Sequence, residues 1–360
     1  MDSSSKVCTV YIGTYTNQGS EGIYGYRLDQ ESGRMDHLGA MARAENPSYL
    51  AFDRKKQYLY AVYETESYKE AVGGAVGAYS IDQKTGCLTA LNEQFVQGKA
   101  PCHLYVDDKR KVMYTANYNS GSISVLTLNQ DGSIGTMTDY LQHEGYGPDK
   151  ERQEKAHAHY VTLTPDEEYL YAVDLGIDQI KRYRWNENNH TLTEETDQTI
   201  HLEPGSGPRH IAFHPNGTYM YVVNELSSSV MVYQLESDGT NRLQSIATIP
   251  NTFLGRNICS AIKITPDGRF LYVSNRGHDS LAAFYIDPLS GILELISYTK
   301  TGGQWPRDLE IDPFGQLILV ANQESDEITA FRIHQETGTL ESLGSVANIS
   351  KPVCIKIMVH

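Results

Sequence analysis

Residues 208–217 read Pro208-Arg209-His210-Ile211-Ala212-Phe213-His214-Pro215-Asn216-Gly217, and residues 219–225 follow as Tyr219-Met220-Tyr221-Val222-Val223-Asn224-Glu225. This is a short apolar run, a turn, and an aromatic β-branched run that ends in polar residues. Its composition favours strand over helix. The same phrase returns at residues 260–268 with 270–276, and again from Pro306 through Asp312-Pro313 to residues 319–323. Earlier copies start near Pro47, Pro101 and His157 and close with residues 58–64, 112–118 and 169–174. The spacing is about 50 residues, the length of one propeller blade.

That makes six full copies, and a seventh is split between the ends of the chain. Residues 352–357 look like a first strand with nothing after it, and residues 10–15 like a second strand with nothing before it. Joined, they complete one blade and close a ring, which leaves no long sheet edge open. The rest of each unit reads as a meander. Third strands are expected at 123–128, 180–185, 230–235, 281–286 and 328–333, and a fourth at 243–249. Turns follow the third strands at Thr85-Gly86, Asp131-Gly132, Ser237-Asp238-Gly239, Ser290-Gly291 and Thr337-Gly338. Glycine-bearing pairs between β-rich runs mark hairpins. The expected fold is all-β: one seven-bladed β-propeller domain over residues 1–360, built of four-stranded antiparallel blades.

Composition narrows the function classes. Acidic residues number 45 against 30 basic ones, for a net charge of −15. Phosphate backbones repel such a chain, so no nucleic-acid partner is expected. No stretch approaches the ~20 apolar residues of a membrane span, and residues 1–7 lack the apolar run of a signal peptide. The expectation is a cytoplasmic protein, monomeric or weakly homo-oligomeric. The five cysteines are widely spaced, with no CxxC pair, and read as reduced, mostly buried thiols.

Adjacent strands of a meander are antiparallel, so the start of each first strand and the end of each second strand lie at one end of the sheet. Aligned on the turns, the starting positions hold Ser48, Cys102, His159, Arg209, Ser260, Arg307 and Val353. The closing positions hold Tyr63, Asn117, Asp174, Asn224, Asn275 and Asn322, followed by Glu64, Tyr118, Leu175, Glu225, Arg276 and Gln323. One mouth of the channel thus collects Arg209, Arg276 and Arg307 in an acidic protein. Guanidinium groups suit carboxylates and phosphates, so a small anionic ligand is expected there. The recurring asparagines have a structural reading as turn caps, and Arg307 has a neighbouring ion-pair partner in Asp308. His157 and His159, two apart on a strand, are expected to face the same way. A metal between them lacks a third ligand and would sit among arginines. His210 is expected to point into the sheet packing and His214 to serve a turn. Residues 143–156 form a polar insertion between two blades, either a flap over the mouth or a surface loop.

At these residues the chain resembles a known family, the seven-bladed propeller lactonases, which includes propeller-type 6-phosphogluconolactonases and carboxymuconate cyclases. The likeness rests on Tyr11-Ile12-Gly13-Thr14-Tyr15-Thr16, Ala156-His157-Ala158-His159, Gly207-Pro208-Arg209-His210, Val223-Asn224-Glu225 and Ser274-Asn275-Arg276-Gly277. It covers essentially the whole chain. The family's histidine, two arginines and glutamate fall on His159, Arg209, Arg276 and Glu225. The resemblance implies hydrolysis of a phosphorylated sugar lactone, 6-phosphogluconolactone, without cofactor or metal. His159, Arg209 and Glu225 are the expected catalytic residues. Arg276, Arg307, Asn117, Asn224, Asn275, Asn322 and His157 are expected to bind substrate. The alternatives are a lactonising cyclase acting on a carboxymuconate, a non-catalytic binding propeller, and a calcium-dependent hydrolase using Glu64, Asp174, Glu225 and the asparagines as oxygen ligands.

Overall fold

The computed structural model describes residues 8–237 and 239–360. The expected N-terminal stretch 1–7 and the turn residue Asp238 lie outside the described residues. Seven antiparallel sheets follow one another around an axis. Blade 1 runs from the inside outward as Pro352–Val359, Cys8–Thr14, Gly22–Leu28 and Met35–Arg43, so both ends of the chain complete it. Blades 2 to 7 begin with inner strands Tyr49–Phe52, Pro101–Asp107, Ala158–Leu163, Pro208–Phe213, Ile258–Ile264 and Pro306–Ile311. Each inner strand packs on the next, and the last returns through Pro352–Val359 to Tyr49–Phe52. Blade 4 carries a fifth short strand, Ile200–His201, after its outer strand. Among the described residues no helix is long and apolar enough to cross a membrane.

Apolar clusters fill the seams between neighbouring blades. One joins blade 7 to blade 1 through Leu317, Leu319, Ile328, Val10, Ile12 and Ile355. Four seams carry the same polar tie. Tyr11, Tyr60, Tyr221 and Tyr272, each on a second strand, donate their hydroxyls to the backbone carbonyls of Gly86, Gly132, Gly291 and Gly338 at 2.7–2.9 Å. Each accepting glycine sits in the outer hairpin of the following blade at φ 70–82°. The repeated tyrosine and the repeated turn glycine are therefore the two halves of one contact.

The inner strands share a second device. In six blades the ladder between first and second strand slips near its channel-mouth end. Pro208 pairs with Asn224 and His210 with Val223, which leaves Arg209 as an extra residue. Cys102, His159, Arg307 and Val353 are extra in the same way, and blade 6 leaves out Ser260 and Ala261. A β-bulge of this kind bends the strand and re-aims a side chain.

Tyr60→Phe and Tyr221→Phe each leave a buried carbonyl without its donor, at a cost of about 1–3 kcal/mol. The seams are separate, so the double variant should lose about the sum. Urea unfolding of the two single variants and the double variant checks this; an unchanged midpoint in both singles would show that the tie contributes nothing.

Candidate functional site

The bulge at Arg209 and the end of the neighbouring strand bring four sequence-selected residues together. Glu225 Oε2 accepts from Arg209 Nε at 2.9 Å and from Arg276 Nη2 at 2.7 Å. Both arginines are also fixed to carbonyls, Arg209 Nη1 to Ser260 at 3.0 Å and Arg276 Nη2 to Cys259 at 2.8 Å. Their side chains are only 4% and 5% exposed. Burial alone would raise the Glu225 carboxyl, but Arg276, Arg209 and Arg152 outweigh it and hold it well below the usual carboxylate range. Burial lowers the Arg276 guanidinium to about 10, against the pull of Glu225.

His159 sits beside them, buried, with its ring edge-on to Tyr118 and to His210 at 5.4 Å each. Burial first, and then the Arg209 charge, keep the imidazole well below the ordinary histidine range, so it is neutral. Cys102 Sγ lies 3.9 Å from His159 Nδ1. Burial pushes that thiol far up, so it stays protonated and is no nucleophile.

His210 departs from expectation. It lines the channel instead of packing into the sheet, accepting from Arg209 Nη1 at 3.0 Å. The bulge is the reason, because it interrupts the alternation that would have sent Arg209 and His210 to opposite sides. His210 packs its ring against those of Tyr160 and His103, tilted, and of Tyr49, edge-on, in a layer beneath the mouth. A cleft beyond that layer, lined by Tyr49, Tyr160, His210, Lys263 and Asp308, opens on the opposite face. There Lys263 and Lys356 are already matched by Glu310.

The segment between His143 and His157 is fastened over the mouth. Asp174 anchors both of its ends: Oδ2 accepts from His143 Nδ1 at 2.7 Å, and Oδ1 from the His157 amide at 2.7 Å. The close return past Gly176 requires a glycine, since a Cβ there would lie 1.9 Å from the Lys155 carbonyl. From this strap Arg152 Nη2 reaches Glu225 Oε1 at 2.5 Å and Tyr118 Oη at 3.2 Å. The sequence alignment had no means to find Arg152, which lies outside the repeat.

His157 supports this strap. Its ring stacks on Tyr118 at 4.4 Å and meets the Glu154 carboxylate at 3.1 Å. It precedes the inner strand Ala158–Leu163 and does not share the direction of His159, the bulged residue. The asparagines have partners inside the ring. Asn117, Asn224, Asn275 and Asn322 are fully buried, and their amides donate to Ser122 and Ser124, Ser229, Ser280 and Thr329 within their own blades, Asn275 also to the Thr248 carbonyl at 2.8 Å. They tie second strand to third.

Arg307 does not pair with Asp308, which accepts from the Ile355 amide. It lies over the Tyr15 ring and 3.9 Å from Glu64. Tyr15 donates to that same Glu64 at 3.0 Å. The three carboxylates of the calcium reading are thus each engaged elsewhere, and the described residues hold no group of three or more His, Cys, Asp or Glu arranged for a metal. Around the mouth, the guanidiniums of Arg152, Arg209, Arg276 and Arg307 meet only Glu225 and Glu64. With His159 neutral, two positive charges are left over.

Comparison with known proteins bears on the fold and the family. The family model of lactonases with a seven-bladed β-propeller matches residues 9–357. The 6-phosphogluconolactonase of Bacillus subtilis is 40% identical over 97% of each chain. The solved structure of a Bacteroides fragilis protein superposes with a TM-score of 0.92, at 35% identity and 99% coverage of both chains. The periplasmic gluconolactonase of Pseudomonas aeruginosa superposes at 0.91, with 31% identity over 98% of this chain and 99% of the other.

The buried channel histidines make stability depend on pH. Burial, reinforced by nearby cations, holds His103, His159 and His210 well below the ordinary value. An unfolded histidine titrates near about 6.5. Below that pH the unfolded chain takes up three protons that the folded chain refuses. Their contribution is complete above about pH 6.5 and falls with pH, by up to about 4 kcal/mol per pH unit for three protons. Denaturant unfolding at pH 7.5, 6.5 and 5.5 measures this; equal stability at all three would mean the rings protonate in the folded state.

Proposed function

The chain belongs to the family of seven-bladed β-propeller lactonases, and from that premise we propose that it hydrolyses 6-phosphogluconolactone to 6-phosphogluconate at this channel mouth. The observation that carries the reading is a neutral, buried histidine set among four guanidiniums with only two carboxylates to balance them. A phosphorylated lactone brings a dianion to that charge surplus and a carbonyl to the histidine. A phosphorylated substrate also goes with a cytoplasmic location.

His159 acts as general base. It takes a proton from water as the water oxygen bonds to the lactone carbonyl carbon. The carbonyl oxygen becomes an oxyanion, and Arg209 faces it: its Nη2 has no hydrogen-bond partner among the described residues, whereas Nε and Nη1 are held by Glu225, His210 and Ser260. Collapse of the intermediate breaks the ring ester bond, and the imidazolium returns its proton to the departing ring oxygen. The acid formed then ionises to solvent. Glu225 steadies the transient imidazolium, since its charge favours the protonated ring. The Arg307 guanidinium makes no hydrogen bond within the described residues and is 18% exposed, which leaves its donors for the phosphate. Arg276 holds Glu225 and adds its charge from below.

Freshly generated 6-phosphoglucono-δ-lactone should open faster with the protein than without it. His159→Ala should lower kcat by about 10²-fold or more, and Arg209→Ala by about 10²–10³-fold. Because burial and the Arg209 charge depress the His159 pKa, the acid limb of kcat lies beneath the ordinary histidine range. No rate above the spontaneous one in the wild type would overturn the reaction; full activity in both variants would overturn the residues.

A further inference from the structure

We infer that Arg152 is the specificity-determining residue for the substrate's anionic group, and that it exchanges Glu225 for that group when substrate binds. This rests on the lactonase reading above and extends it to a residue outside the repeat. Of the three arginines on Glu225, two are immobilised. Arg209 and Arg276 stand on strands, hold carbonyls as well as the carboxylate, and are 4% and 5% exposed. Arg152 stands on the strap, holds Oε1 and the Tyr118 hydroxyl but no carbonyl, and is 24% exposed. Only its Nη2 is engaged, toward Glu225 and Tyr118. Its Nε and Nη1 have no partner among the described residues, so once Nη2 leaves Glu225 a complete guanidinium edge can grip a phosphate bidentately.

Access points the same way. His159 and Arg209 are 5% and 3% exposed, so no substrate reaches them unless a covering group moves. Arg152 is the charged member of that cover, and it stacks no carbonyl or ring to hold it back. Its departure leaves Glu225 with Arg209 and Arg276 still bonded to Oε2, so the catalytic carboxylate keeps its place. The exchange replaces one anion by another at the same cation. A neutral sugar lactone offers no such replacement and must compete with Glu225 unaided.

The test is calorimetric titration of 6-phosphogluconate and of gluconate into the wild type, Arg152→Ala and Arg152→Gln, with lactone hydrolysis measured in parallel. The inference expects the wild type to prefer the phosphorylated ligand and both variants to bind it at least tenfold more weakly. Gluconate binding should change less than threefold. Arg152→Gln keeps a polar side chain of similar reach on the strap, so agreement between the variants separates lost charge from a disturbed fold. A wild type without preference, or equal losses for both ligands, overturns the inference. An Arg152-dependent preference without any catalysed lactone opening would leave the anion subsite standing and overturn the reaction instead.

Discussion

The register slip at the start of the inner strands is the constraint on which the site depends. In a regular strand successive side chains alternate between the two faces of the sheet. In a propeller those faces meet the neighbouring blades, so a regular inner strand would spend its side chains on the seams. One extra residue breaks the alternation and turns a side chain toward the axis. Arg209, His159, Cys102 and Arg307 all occupy that extra position. The following residues, His103, Tyr160 and His210, then fill the channel beneath. The seams are left to apolar clusters and the tyrosine ties, so the polar mouth is held by a scaffold with little freedom of its own.

Glu225 decides whether this mouth can exist. Three guanidiniums converging on a dry space would repel one another and lose their hydration. One carboxylate takes all three, sharing Oε2 between Arg209 and Arg276 and giving Oε1 to Arg152. Removing one partner of such a buried set costs more than the set itself contributes. The arrangement is under-neutralised, and the surplus adds to burial in keeping His159 unprotonated. A base that must be neutral to accept a proton is thus prepared by its dry site and by the charges that attract the substrate. The protein's overall acidity does not contradict this, because the cations are confined to a few positions around the axis.

Much of the fold was legible because the repeat carries its own punctuation. Turn glycines, strand-closing asparagines and doubled tyrosines recur at the same points in several copies, and the structure gives each a physical task. The four residues matched by family likeness also come together, because both channel-lining positions follow from antiparallel pairing. What sequence reading missed lies where periodicity fails. The bulge changes the direction of His210 and parts His157 from His159, and a one-residue slip leaves no mark in hydrophobic pattern. The asparagines were ambiguous for another reason. Their position is at the mouth, but their amides find hydroxyls on the adjacent third strand, and those serines and threonine were not weighed as partners. Arg152 is absent from any alignment of copies, since its segment belongs to one blade junction alone.

That junction shows how a rigid ring acquires selectivity. A residue on a strand is placed by its ladder and by the packing of its blade on the neighbours, and cannot shift without disturbing a seam. A segment between blades has no such obligation, and loops on rigid scaffolds are where binding groups concentrate. Here the strap is fixed at its two ends by one buried carboxylate, Asp174, with Gly176 giving its return path room. Between those anchors it needs only to offer a side chain, and it offers a cation to the one carboxylate that the strands have already arranged. The chemistry stays on the strands, where geometry must be exact to within fractions of an ångström for proton transfer. Recognition passes to the element whose partner can be exchanged.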